Sequence, residues 1–549
     1  MNTRDPFPST AAPADPQRRR LLQAAGLGAG LLLAGAAPAA FAAGEATVVA
    51  RTRSGRVRGL RHDGVSAFKG IRYGADTAPV RFLAPRAPQP WRGVAEAMDY
   101  GAAAPQRGGD GPGREDCLFL NVWTPGLDDG GKRPVLFYIH GGGFDTGSGS
   151  DPLYDGSALV RRGDVVVVTV NHRLNALGYL YLGQLAGAEY AAAANPGQLD
   201  LVLALQWVRD NIAGFGGDPG NVTVFGQSGG GAKIATLMAM PVARGLFHKA
   251  WTMSGQQVTA AGPRAATGRA RLFLETAGID PAAADAVARL RALPVEKLLE
   301  ATTARDFSRI ENTRLYFGPV MDGQVLPRHP FWPDAPAQSA AIPMVIGNTR
   351  DETRAFLGGD PKHFELTWEE LPGRLETQQY VDLRADLVVA EYRRLYPRYT
   401  PSEVFFAATT AGRSWRGAVE ELEARAVQPD GAAPTWAYQL DWGSPLDGGR
   451  LRAFHTLDIP LVFDNAGQPG SRTGDGEDAR KMAEAMSGAL LALARHGDPN
   501  HAGIPRWEPY SMARRQTLLF DLPATLADDP RGGERRFWQQ APFVQRGTL

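Results

Sequence analysis

Residues 222–240 predict a strand, a tight turn and a helix, with Ser228 at the tip of the turn. The residues before the turn favour a strand, and the residues after it favour a helix. A serine held at strained backbone angles in this setting projects its hydroxyl from the edge of a sheet. Gly226 and Gly230 supply the tiny side chains that such a turn needs on either side of the serine. The setting favours a nucleophilic serine over a chance G-x-S-x-G pattern in a chain with 65 glycines.

Several almost wholly apolar runs predict strands that are buried on both faces. The clearest are residues 134–139 and 164–170, and shorter runs follow at 250–253, 343–347 and 435–440. A strand that is apolar on both faces is typical of a central sheet covered by helices. These runs therefore predict the α/β class, with a large and mostly parallel central sheet flanked by helices.

Two helical blocks interrupt the alternation of strands and helices, near residues 264–303 and 361–430. Insertions of this kind usually cover a binding site, so we expect them to form a lid over an active-site gorge. No low-complexity linker separates them from their neighbours. Residues 43–549 are therefore predicted to form one elaborated domain, of a size that large α/β enzymes reach with insertions.

A glycine-rich stretch at residues 140–144 follows the first of the long apolar runs. Successive glycines leave backbone N–H groups free to point at one spot without obstruction by side chains. Gly142 and Gly143, with the N–H of Gly229 just after the serine, can donate to the oxyanion that forms on an attacked carbonyl. The stretch and the serine turn, occurring in this order, predict an oxyanion hole rather than a merely flexible loop.

A serine hydroxyl needs a base, usually a histidine that a carboxylate orients. The chain has nine histidines, and most of them follow core elements or lie in polar or proline-flanked loops. His140 precedes the oxyanion glycines, which favours a structural role. His455 lies shortly after the apolar run at residues 435–440, where the chain returns to the catalytic edge of the sheet. Elimination therefore favours His455 as the base.

Two adjacent carboxylates, Asp351 and Glu352, lie just past the end of a predicted strand. The order of serine, acid and histidine along the chain is that of an α/β-hydrolase. Composition does not distinguish Asp351 from Glu352 as the acid, and Asp322 and Asp458 stay open as alternatives.

The first 42 residues predict a removable export signal. Residues 18–20 form a twin-arginine region, residues 24–37 are small and apolar, and residues 40–42 offer an A-x-A cleavage site. We therefore expect export of a folded protein to the periplasm or beyond. A membrane anchor is not favoured, because this stretch is too short and no later stretch is long and apolar enough to span a bilayer.

Composition argues against several other kinds of site and partner. Lys and Arg number 59 against 58 Asp and Glu, so no basic face is implied and nucleic acid is not an expected partner. Cys117 is the single cysteine, which excludes an intramolecular disulfide and favours a small buried residue. No Cys/His cluster has zinc-ligand spacing, so neither a metal nor a cofactor is expected. Lys233 lies five residues after Ser228 rather than three, which argues against serine–lysine chemistry.

Together these stretches resemble the type-B carboxylesterase family, which includes bacterial p-nitrobenzyl esterases and the cholinesterases. The matching stretches are residues 115–123, 140–144, 171–174, 215–219, 226–230, 351–352 and 454–455. The resemblance covers essentially the whole mature chain. It implies an α/β-hydrolase fold with a deep gorge, no cofactor, and a monomer or weak homodimer. By resemblance alone the acid is Glu352, which completes a triad with Ser228 and His455.

Three positions depart from the pattern of that family. Gln227 stands where the family usually has Glu, and Gly229 stands where it usually has Ala. Loss of the carboxylate beside the serine removes an attraction for cationic substrates, so a choline ester is not an expected substrate. Cys117 matches a cysteine that many extracellular relatives pair in a disulfide, and here it has no second cysteine to pair with. Ser254 keeps the pattern and matches a serine that supports the triad in the family.

These features predict a serine hydrolase that cleaves carboxylic esters of small molecules through an acyl-enzyme, with uncharged aryl and alkyl esters favoured. One alternative is a non-catalytic binding or adhesion protein of the cholinesterase type. Another is a specialised esterase that acts on a xenobiotic or a natural-product polyester. Arg72, Trp91, Phe144 and Phe454 are candidates for lining the gorge, although packing would explain each of them equally well.

Overall fold

The computed structural model describes residues 46–108, 113–306, 314–379 and 381–545. The predicted export signal at residues 1–42 lies outside the described residues. The described strands join into one sheet. Their bounds are β1 Ala46–Thr52, β2 Gly55–His62, β3 Val65–Arg72, β4 Val94–Glu96, β5 Phe119–Thr124, β6 Arg133–Ile139, β7 Val166–Val170, β8 Gly217–Gln227, β9 Lys249–Met253, β10 Met344–Thr349, β11 Thr435–Leu440, β12 Gln516–Phe520 and β13 Thr525–Asp528.

The sheet is parallel through its middle and antiparallel at its two ends. Its order is β1-β2-β3-β5-β7-β6-β8-β9-β10-β11-β12-β13, and β4 pairs with β2 outside this path. Each neighbouring pair from β7 to β12 is parallel. The pairs that flank this central part are antiparallel. The predicted large and mostly parallel sheet is therefore confirmed.

Helices cover both faces of this sheet. Their bounds are α1 Ser157–Gly163, α2 Asn175–Tyr179, α3 Ala188–Ala191, α4 Pro196–Asn211, α5 Gly229–Met238, α6 Pro263–Thr276, α7 Ala286–Ala292, α8 Val295–Ala301, α9 Arg354–Leu357, α10 Leu371–Gln378, α11 Ala385–Leu395, α12 Pro401–Thr410, α13 Arg416–Ala426, α14 Asp458–Val462, α15 Glu477–His496 and α16 Gly532–Trp538. Within the described part of the chain, none of them is both long enough and apolar enough to cross a membrane.

Strand β6 shows why the central strands are apolar along their whole length. Its side chains alternate between two hydrophobic clusters, with Val135, Phe137 and Ile139 in one and Leu136 and Tyr138 in the other. Helices α4, α5 and α13 contribute to the first cluster, and α1, α14 and α15 contribute to the second. Successive side chains of a strand point to opposite faces, so a strand covered on both sides needs an uninterrupted apolar run.

Helices occur in both of the blocks that the sequence singled out. Helices α6 to α8 fall in the first block, and α10 to α13 fall in the second. At the start of α12 the side chains of Thr400 and Glu403 each accept the other residue's backbone N–H. A wide π turn at Ala411–Trp415 then joins α12 to α13 without a break. The two helices therefore form one long helix with a local bulge.

The register of the parallel strands brings several chain segments to one edge of the sheet. Ile139 at the end of β6 pairs with Gly226 in β8, and Gln227 pairs with Met253 at the end of β9. Gly347 in β10 also pairs with Met253. Because these strands run in the same direction, the segments that follow them meet above their carboxyl ends.

Strand β8 begins in a stretch whose composition is typical of a loop. Residues 215–220 are rich in glycine and include a proline, yet the strand already begins at Gly217. Gly217 pairs with Arg133, and the register then shifts before Val135 pairs with Val222. The glycine- and proline-rich residues therefore form an irregular start to the strand, as at a β-bulge.

Candidate active site

Ser228 lies at the sharp turn between β8 and α5, with φ 55° and ψ −125°. Its N–H donates to the carbonyl oxygen of Met253 at 2.7 Å, and its carbonyl accepts the N–H of Ala232 at 3.1 Å. These bonds hold a backbone conformation that residues other than glycine rarely adopt. They fix the serine at the carboxyl edge of the sheet, where the sequence predicts it.

Gly226 and Gly230 are required by the neighbouring backbone. A methyl group on either residue would overlap the carbonyl oxygen of Ile139 in β6. On Gly226 it would also meet the backbone of Gly230 across the turn. The need for glycine therefore comes from the adjacent strand as well as from the turn itself.

The imidazole of His455 is bonded to the carboxylate of Glu352 through Nδ1 and Oε2. The backbone N–H of His455 also approaches the carbonyl oxygen of Glu352, at 3.4 Å. Glu352 is 0% exposed and His455 is 6% exposed. A carboxylate on Nδ1 leaves Nε2 as the nitrogen that can accept a proton.

The surroundings of Glu352 keep its carboxylate ionised. Burial raises the pKa of this carboxyl, but the charge of His455 and the hydrogen bonds to the carboxylate outweigh burial and hold the pKa below its usual range. Besides His455, the hydroxyl of Ser254 and the N–H of Thr349 provide these bonds, the latter at 2.9 Å from Oε1. The Nδ2 of Asn348 lies 3.3 Å from the same oxygen. An ionised carboxylate can orient the imidazole and stabilise its protonated form.

The other carboxylates that the sequence left open face different partners. Asp351 pairs with an arginine of α9 at 2.9 Å. Asp322 accepts two backbone N–H groups of its own loop. Asp458 accepts a tyrosine hydroxyl at 3.0 Å, and burial together with the charge of Glu352 raises its pKa to about 7. Of these candidates, Glu352 is the one bonded to His455.

The side-chain amide of Gln227 packs on the ring of His455. Its Nε2 lies 3.4 Å from Nδ1 and 3.2 Å from Nε2 of the imidazole. An atom almost equidistant from the two ring nitrogens cannot lie along the lone pair of either one. The amide therefore lies over the face of the ring, and it brings no charge to the position beside the serine.

Ser228 and His455 line the same cavity. Within the described part of the chain, no hydrogen bond joins the Ser228 hydroxyl to the imidazole. Catalytic hydrogen bonds are often long in structures without substrate and tighten when the reacting group binds. The structure thus brings the hydroxyl of Ser228 and the imidazole of His455 to one cavity, which is the placement that a proton transfer between them requires.

The glycine loop after β6 lies against the first turn of α5. Gly142 and Gly143 have φ values of 82° and 62°, in the region that favours glycine. Both residues line the cavity together with Ser228 and Gly229. A methyl group on Gly229 would overlap the carbonyl group of Gly143. The three residues predicted for the oxyanion hole therefore lie beside the serine, and Gly229 contacts Gly143 too closely to leave room for a methyl group at position 229.

Lys233 takes part in this arrangement, which the sequence reasoning missed. Its side chain is 0% exposed, and Nζ donates to the carbonyl oxygens of Gly143 at 2.8 Å and His140 at 3.2 Å. Burial lowers its pKa to about 7. Lys233 lies four residues after Gly229, and therefore on the same face of α5, which is the signal that could have pointed to it. The lysine ties the glycine loop to the helix that follows the serine.

His140 and His172 form a stacked pair close to this lysine. Their ring centroids are 4.7 Å apart and their planes differ by 10°. Burial, and after it the charge of Lys233, lowers the pKa of His140 to about 3 and that of His172 well below 6.5. Both imidazoles are therefore neutral at neutral pH, which fits a structural role for His140.

A cavity of about 480 Å³ opens above the serine. Most of its lining comes from the serine turn, the glycine loop, the segment after β9, the π turn and the end of the described chain. The lining residues are Gly142, Gly143, Phe144, Gln227, Ser228, Gly229, Ala232, Ser254, Gly255, Gln256, Gln257, Tyr316, Phe356, Gly412, Arg413, Ser414, Gly417, His455, Thr456, Phe543, Val544 and Gln545. Residues of the second helical block belong to this lining, whereas no residue from 264–303 does.

Phe144 lines the cavity as predicted, but the other gorge candidates do not. Arg72 and Trp91 line a separate groove beside β3, because that strand lies away from the parallel middle of the sheet. Phe454 packs in the hydrophobic cluster formed by α14 and α15. Of the two explanations open for these three residues, a place in the lining of the cavity that contains Ser228 is therefore not supported.

The described residues contain no group of three or more His, Cys, Asp and Glu side chains that could hold a metal ion. Cys117 is buried, and burial raises the pKa of its thiol. A buried and protonated thiol behaves as a small apolar side chain rather than as a nucleophile.

Sequence comparison shows which known proteins this chain is similar to. A model of the carboxylesterase family matches residues 46–538. The para-nitrobenzyl esterase of Bacillus subtilis is 36% identical over 504 residues, which cover 89% of this chain and 98% of that protein. Phenmedipham hydrolase of Pseudarthrobacter oxydans is 34% identical over 515 residues, which cover 88% of this chain and 96% of that protein.

Solved structures agree with the sequence comparison. The crystal structure of a Geobacillus stearothermophilus carboxylesterase superposes with a TM-score of 0.78 at 38% identity. The superposition covers 89% of this chain and 100% of that chain. The likeness therefore extends over most of this chain and over the whole of the solved structure.

Proposed function

Because this chain belongs to the carboxylesterase family, we propose that Ser228, His455 and Glu352 carry out its reaction. The protein is a serine ester hydrolase with the α/β-hydrolase fold. The observation that carries the proposed roles is the buried pair of His455 and Glu352 at the cavity that contains the strained serine.

In the proposed mechanism, His455 takes the proton of the Ser228 hydroxyl as the serine oxygen attacks the ester carbonyl. Glu352 holds the ring through Nδ1 and stabilises the imidazolium that forms. When the tetrahedral intermediate collapses, the imidazolium gives its proton to the leaving alcohol. His455 then activates a water molecule, which releases the acid from the acyl-enzyme and regenerates the serine.

The N–H groups of Gly142, Gly143 and Gly229 donate to the oxyanion in each tetrahedral intermediate. Lys233 keeps the loop in place through its hydrogen bond to the carbonyl oxygen of Gly143. Donors that are already oriented stabilise the developing charge without reorganisation, which is usually the largest contribution to such a reaction. The mechanism uses groups of this chain and needs no cofactor.

We propose small uncharged aryl and alkyl esters as substrates. Phe144, Tyr316 and Phe356 offer aromatic surface to such molecules. Gln227 offers no carboxylate for a cation beside the serine, so choline esters should be poor substrates. A relative that bears the name para-nitrobenzyl esterase supports substrates of this kind.

Substitution of the serine tests this function directly. Ser228→Ala should abolish hydrolysis of p-nitrophenyl butyrate and labelling by a fluorophosphonate probe, because both require the attacking oxygen. Glu352→Gln should lower kcat by about 100-fold or more, since the imidazole loses the anion that orients it. Asp351→Asn is the matched control, because it removes the adjacent negative charge without touching His455.

Three results would contradict the proposed roles. Substantial turnover by Ser228→Ala would exclude it as the nucleophile. A larger loss from Asp351→Asn than from Glu352→Gln would move the acid to the neighbouring residue. A wild-type protein that neither hydrolyses esters nor reacts with the probe would point to the alternative of a binding protein.

We further propose that residues 1–42 direct export by the twin-arginine route and that the mature enzyme is a monomer or a weak homodimer. The arginine, apolar and A-x-A segments of the sequence support export. The family resemblance supports the assembly. Analytical ultracentrifugation of the mature protein measures the assembly, and a stable tetramer would contradict this proposal.

A further inference from the structure

The ammonium group of Lys233 lies next to the loop that provides two of the proposed oxyanion donors. Nζ donates to the carbonyl oxygen of Gly143 at 2.8 Å. The same oxygen lies against Gly229, because a methyl group on Gly229 would come within 2.0 Å of it. One carbonyl group thus contacts both the ammonium group and the residue after the serine. The side chain of Lys233 is 0% exposed, so its charge acts across protein, where charges interact more strongly than in water.

Among the described residues, no carboxylate forms an ion pair with this ammonium group. The titratable side chains beside it are the stacked imidazoles of His140 and His172, which are both neutral at neutral pH. The centre of the Phe144 ring lies 5.5 Å from Nζ. The groups that face Lys233 therefore leave its positive charge without a neighbouring negative charge.

Carboxylates on the segments that pack against α5 have other partners or lie elsewhere. Asp200 of α4 pairs with Arg173 at 2.7 Å. Asp218 lies near the start of β8, at the other end of that strand from the serine turn. Asp145 follows the glycine loop, and the charges of two arginines oppose the rise that burial causes in its pKa. The charge of Lys233 is therefore free to act on the neighbouring loop.

The proposed mechanism creates two new charges, and the structure balances them unequally. The positive charge develops on His455, which is already bonded to the ionised carboxylate of Glu352. The negative charge develops on the substrate oxygen, where the proposed donors are uncharged N–H groups. A cation next to these donors adds to their effect, because it attracts the charge that Glu352 does not balance.

We propose that the positive charge of Lys233 stabilises the oxyanion, in addition to the hydrogen bonds by which this side chain holds the glycine loop. The inference rests on the proposed function, since the oxyanion forms when Ser228 attacks an ester. Lys233 does not touch the substrate, and it is therefore a positioning residue that also acts through its charge. After loss of a proton to the solvent, its amine keeps two N–H groups, which suffice for the carbonyl oxygens of Gly143 and His140. The charge can thus be lost while the loop stays in place.

Titration of Lys233 makes this charge measurable. Burial lowers its pKa to about 7, so the ammonium group loses its proton just above neutral pH. On the acid side, kcat rises with pH as the imidazole of His455 becomes neutral. On the alkaline side, we expect kcat of the wild type for p-nitrophenyl butyrate to fall by about fivefold or more, to a plateau near about pH 9. KM should change less, because the uncharged ester gains little from the cation before it reacts.

Two variants separate the charge from the hydrogen bonds. Lys233→Gln keeps an N–H donor without a charge, and Lys233→Met removes both. At about pH 6.5 each should lower kcat by about tenfold, and neither should show the alkaline fall, because the charge is absent at every pH. Lys249→Met is the matched control. Lys249 also donates to a backbone carbonyl oxygen, that of Ala494 at 2.9 Å, but it lies at the start of β9 and does not line the cavity. Its kcat and pH profile should be those of the wild type.

Asp458 needs its own control, because its pKa is also about 7. Its ionisation adds a negative charge near Glu352, which could itself change kcat. Asp458→Asn removes this titration and keeps Lys233. If Lys233 causes the alkaline fall, Asp458→Asn should still show it.

A trifluoromethyl ketone gives a measurement that does not depend on turnover. The oxygen of Ser228 bonds to the ketone carbon, the serine proton passes to His455, and the ketone oxygen becomes an oxyanion that resembles the transition state. At about pH 6.5, Lys233→Gln should weaken this inhibition by about tenfold, because the adduct loses a nearby cation. The methyl ketone of the same chain length measures binding without a stable adduct, and it should inhibit both proteins alike.

Two outcomes would overturn the inference. In one, kcat of the wild type stays constant up to about pH 9 after its acid-side rise. This result decides the matter even if the variants do not fold. In the other, the alkaline fall persists in Lys233→Gln or Lys233→Met, so that another group must cause it. Failure of the proposed function looks different, since the wild type would then hydrolyse p-nitrophenyl butyrate at no pH.

Discussion

Gly229 lies where a methyl group would overlap the carbonyl group of Gly143, and this contact sets the position of the glycine loop. The same carbonyl oxygen accepts a hydrogen bond from Nζ of Lys233 at 2.8 Å. Glycine at 229 and lysine at 233 therefore belong to one arrangement, in which the first leaves room for the carbonyl and the second binds it. Alanine, which the type-B family usually has at the first position, would not fit this arrangement.

Gly229→Ala should lower kcat for p-nitrophenyl butyrate by about 100-fold, because the methyl group displaces Gly143 and a donor to the oxyanion. KM should change little, since the loop acts mainly on the transition state. Steady-state kinetics measures both. Gly268→Ala in α6 is the control, because a methyl group there meets open space and alanine favours a helix. Full activity of Gly229→Ala would mean that the loop does not need this glycine.

Among single residues, the sequence predicts the roles of those that belong to a local pattern. Ser228 and the three glycines belong to short motifs, and His455 follows from elimination among the histidines. Asp351 and Glu352 are adjacent, so residue spacing cannot separate them, and the structure distinguishes them by their contacts. Lys233 and Arg413 belong to no motif, because their surroundings come from segments far away along the chain.

Helix α13 carries a carboxyl group that packs on the segment after β9. Oε1 of Glu421 accepts the N–H of Gln257 at 2.7 Å. Its Oε2 has no hydrogen-bond partner among the described residues. Burial raises the pKa of this carboxyl to about 8, against a smaller opposite effect of the hydrogen bond. The contact between this helix and the sheet edge therefore contains a neutral acid at neutral pH.

Glu421→Gln should remove a pH-dependent loss of stability. Between pH 4.5 and about 8 the folded protein keeps a proton on Glu421 that the unfolded chain has released. The free energy of unfolding of the wild type therefore falls as the pH rises through this range. Glutamine keeps an acceptor for Gln257 and cannot ionise. From about pH 5 to about pH 8, the advantage of the variant should grow by about 1 kcal/mol or more.

Urea unfolding at a series of pH values measures this difference. Glu376→Gln on the exposed surface of α10 is the control, and its stability should follow that of the wild type. The free energy of unfolding of Glu421→Gln could instead follow that of the wild type across the pH series. The buried carboxyl would then have to be ionised in the folded protein.

Elements with a strong apolar pattern could be predicted closely, and irregular ones could not. The run at residues 134–139 matches β6, and the run at 164–170 contains β7. The start of β8 was missed because its glycines and proline read as a loop. The π turn was missed for the opposite reason, since its residues are compatible with a regular helix and the bulge depends on packing at both ends.

The parallel middle of the sheet explains how residues from distant parts of the chain meet in one cavity. Its α/β class could be predicted because each central strand is an apolar run. The two helical blocks could be located from the change in periodicity. Which of their residues face the cavity could not be predicted, because that depends on how each block folds back over the sheet. Only the block at 361–430 contributes to the described lining.

Export concerns the whole precursor, and its arginines allow a direct test. Replacement of Arg18, Arg19 and Arg20 by lysine keeps the positive charge and removes the twin-arginine signal. In a bacterial host with twin-arginine translocation, this variant should stay in the cytoplasm with its leader uncut. Cell fractionation and immunoblotting measure this, and esterase activity in the cytoplasm shows that the retained protein is folded. If the lysine variant were exported to the same extent as the wild type, the proposed route would be contradicted.

The bulge at Ala411–Trp415 lies within the long helix of the second block. It changes the direction in which the side chains after it point, compared with a regular α-helix. Each residue turns a helix by about 100°, so loss of one residue there would restore an even pitch and rotate one half of the helix against the other. Either Arg413 would leave the cavity or Glu421 would leave its packing. A single-codon deletion could therefore change which esters are preferred while every proposed catalytic side chain stays intact.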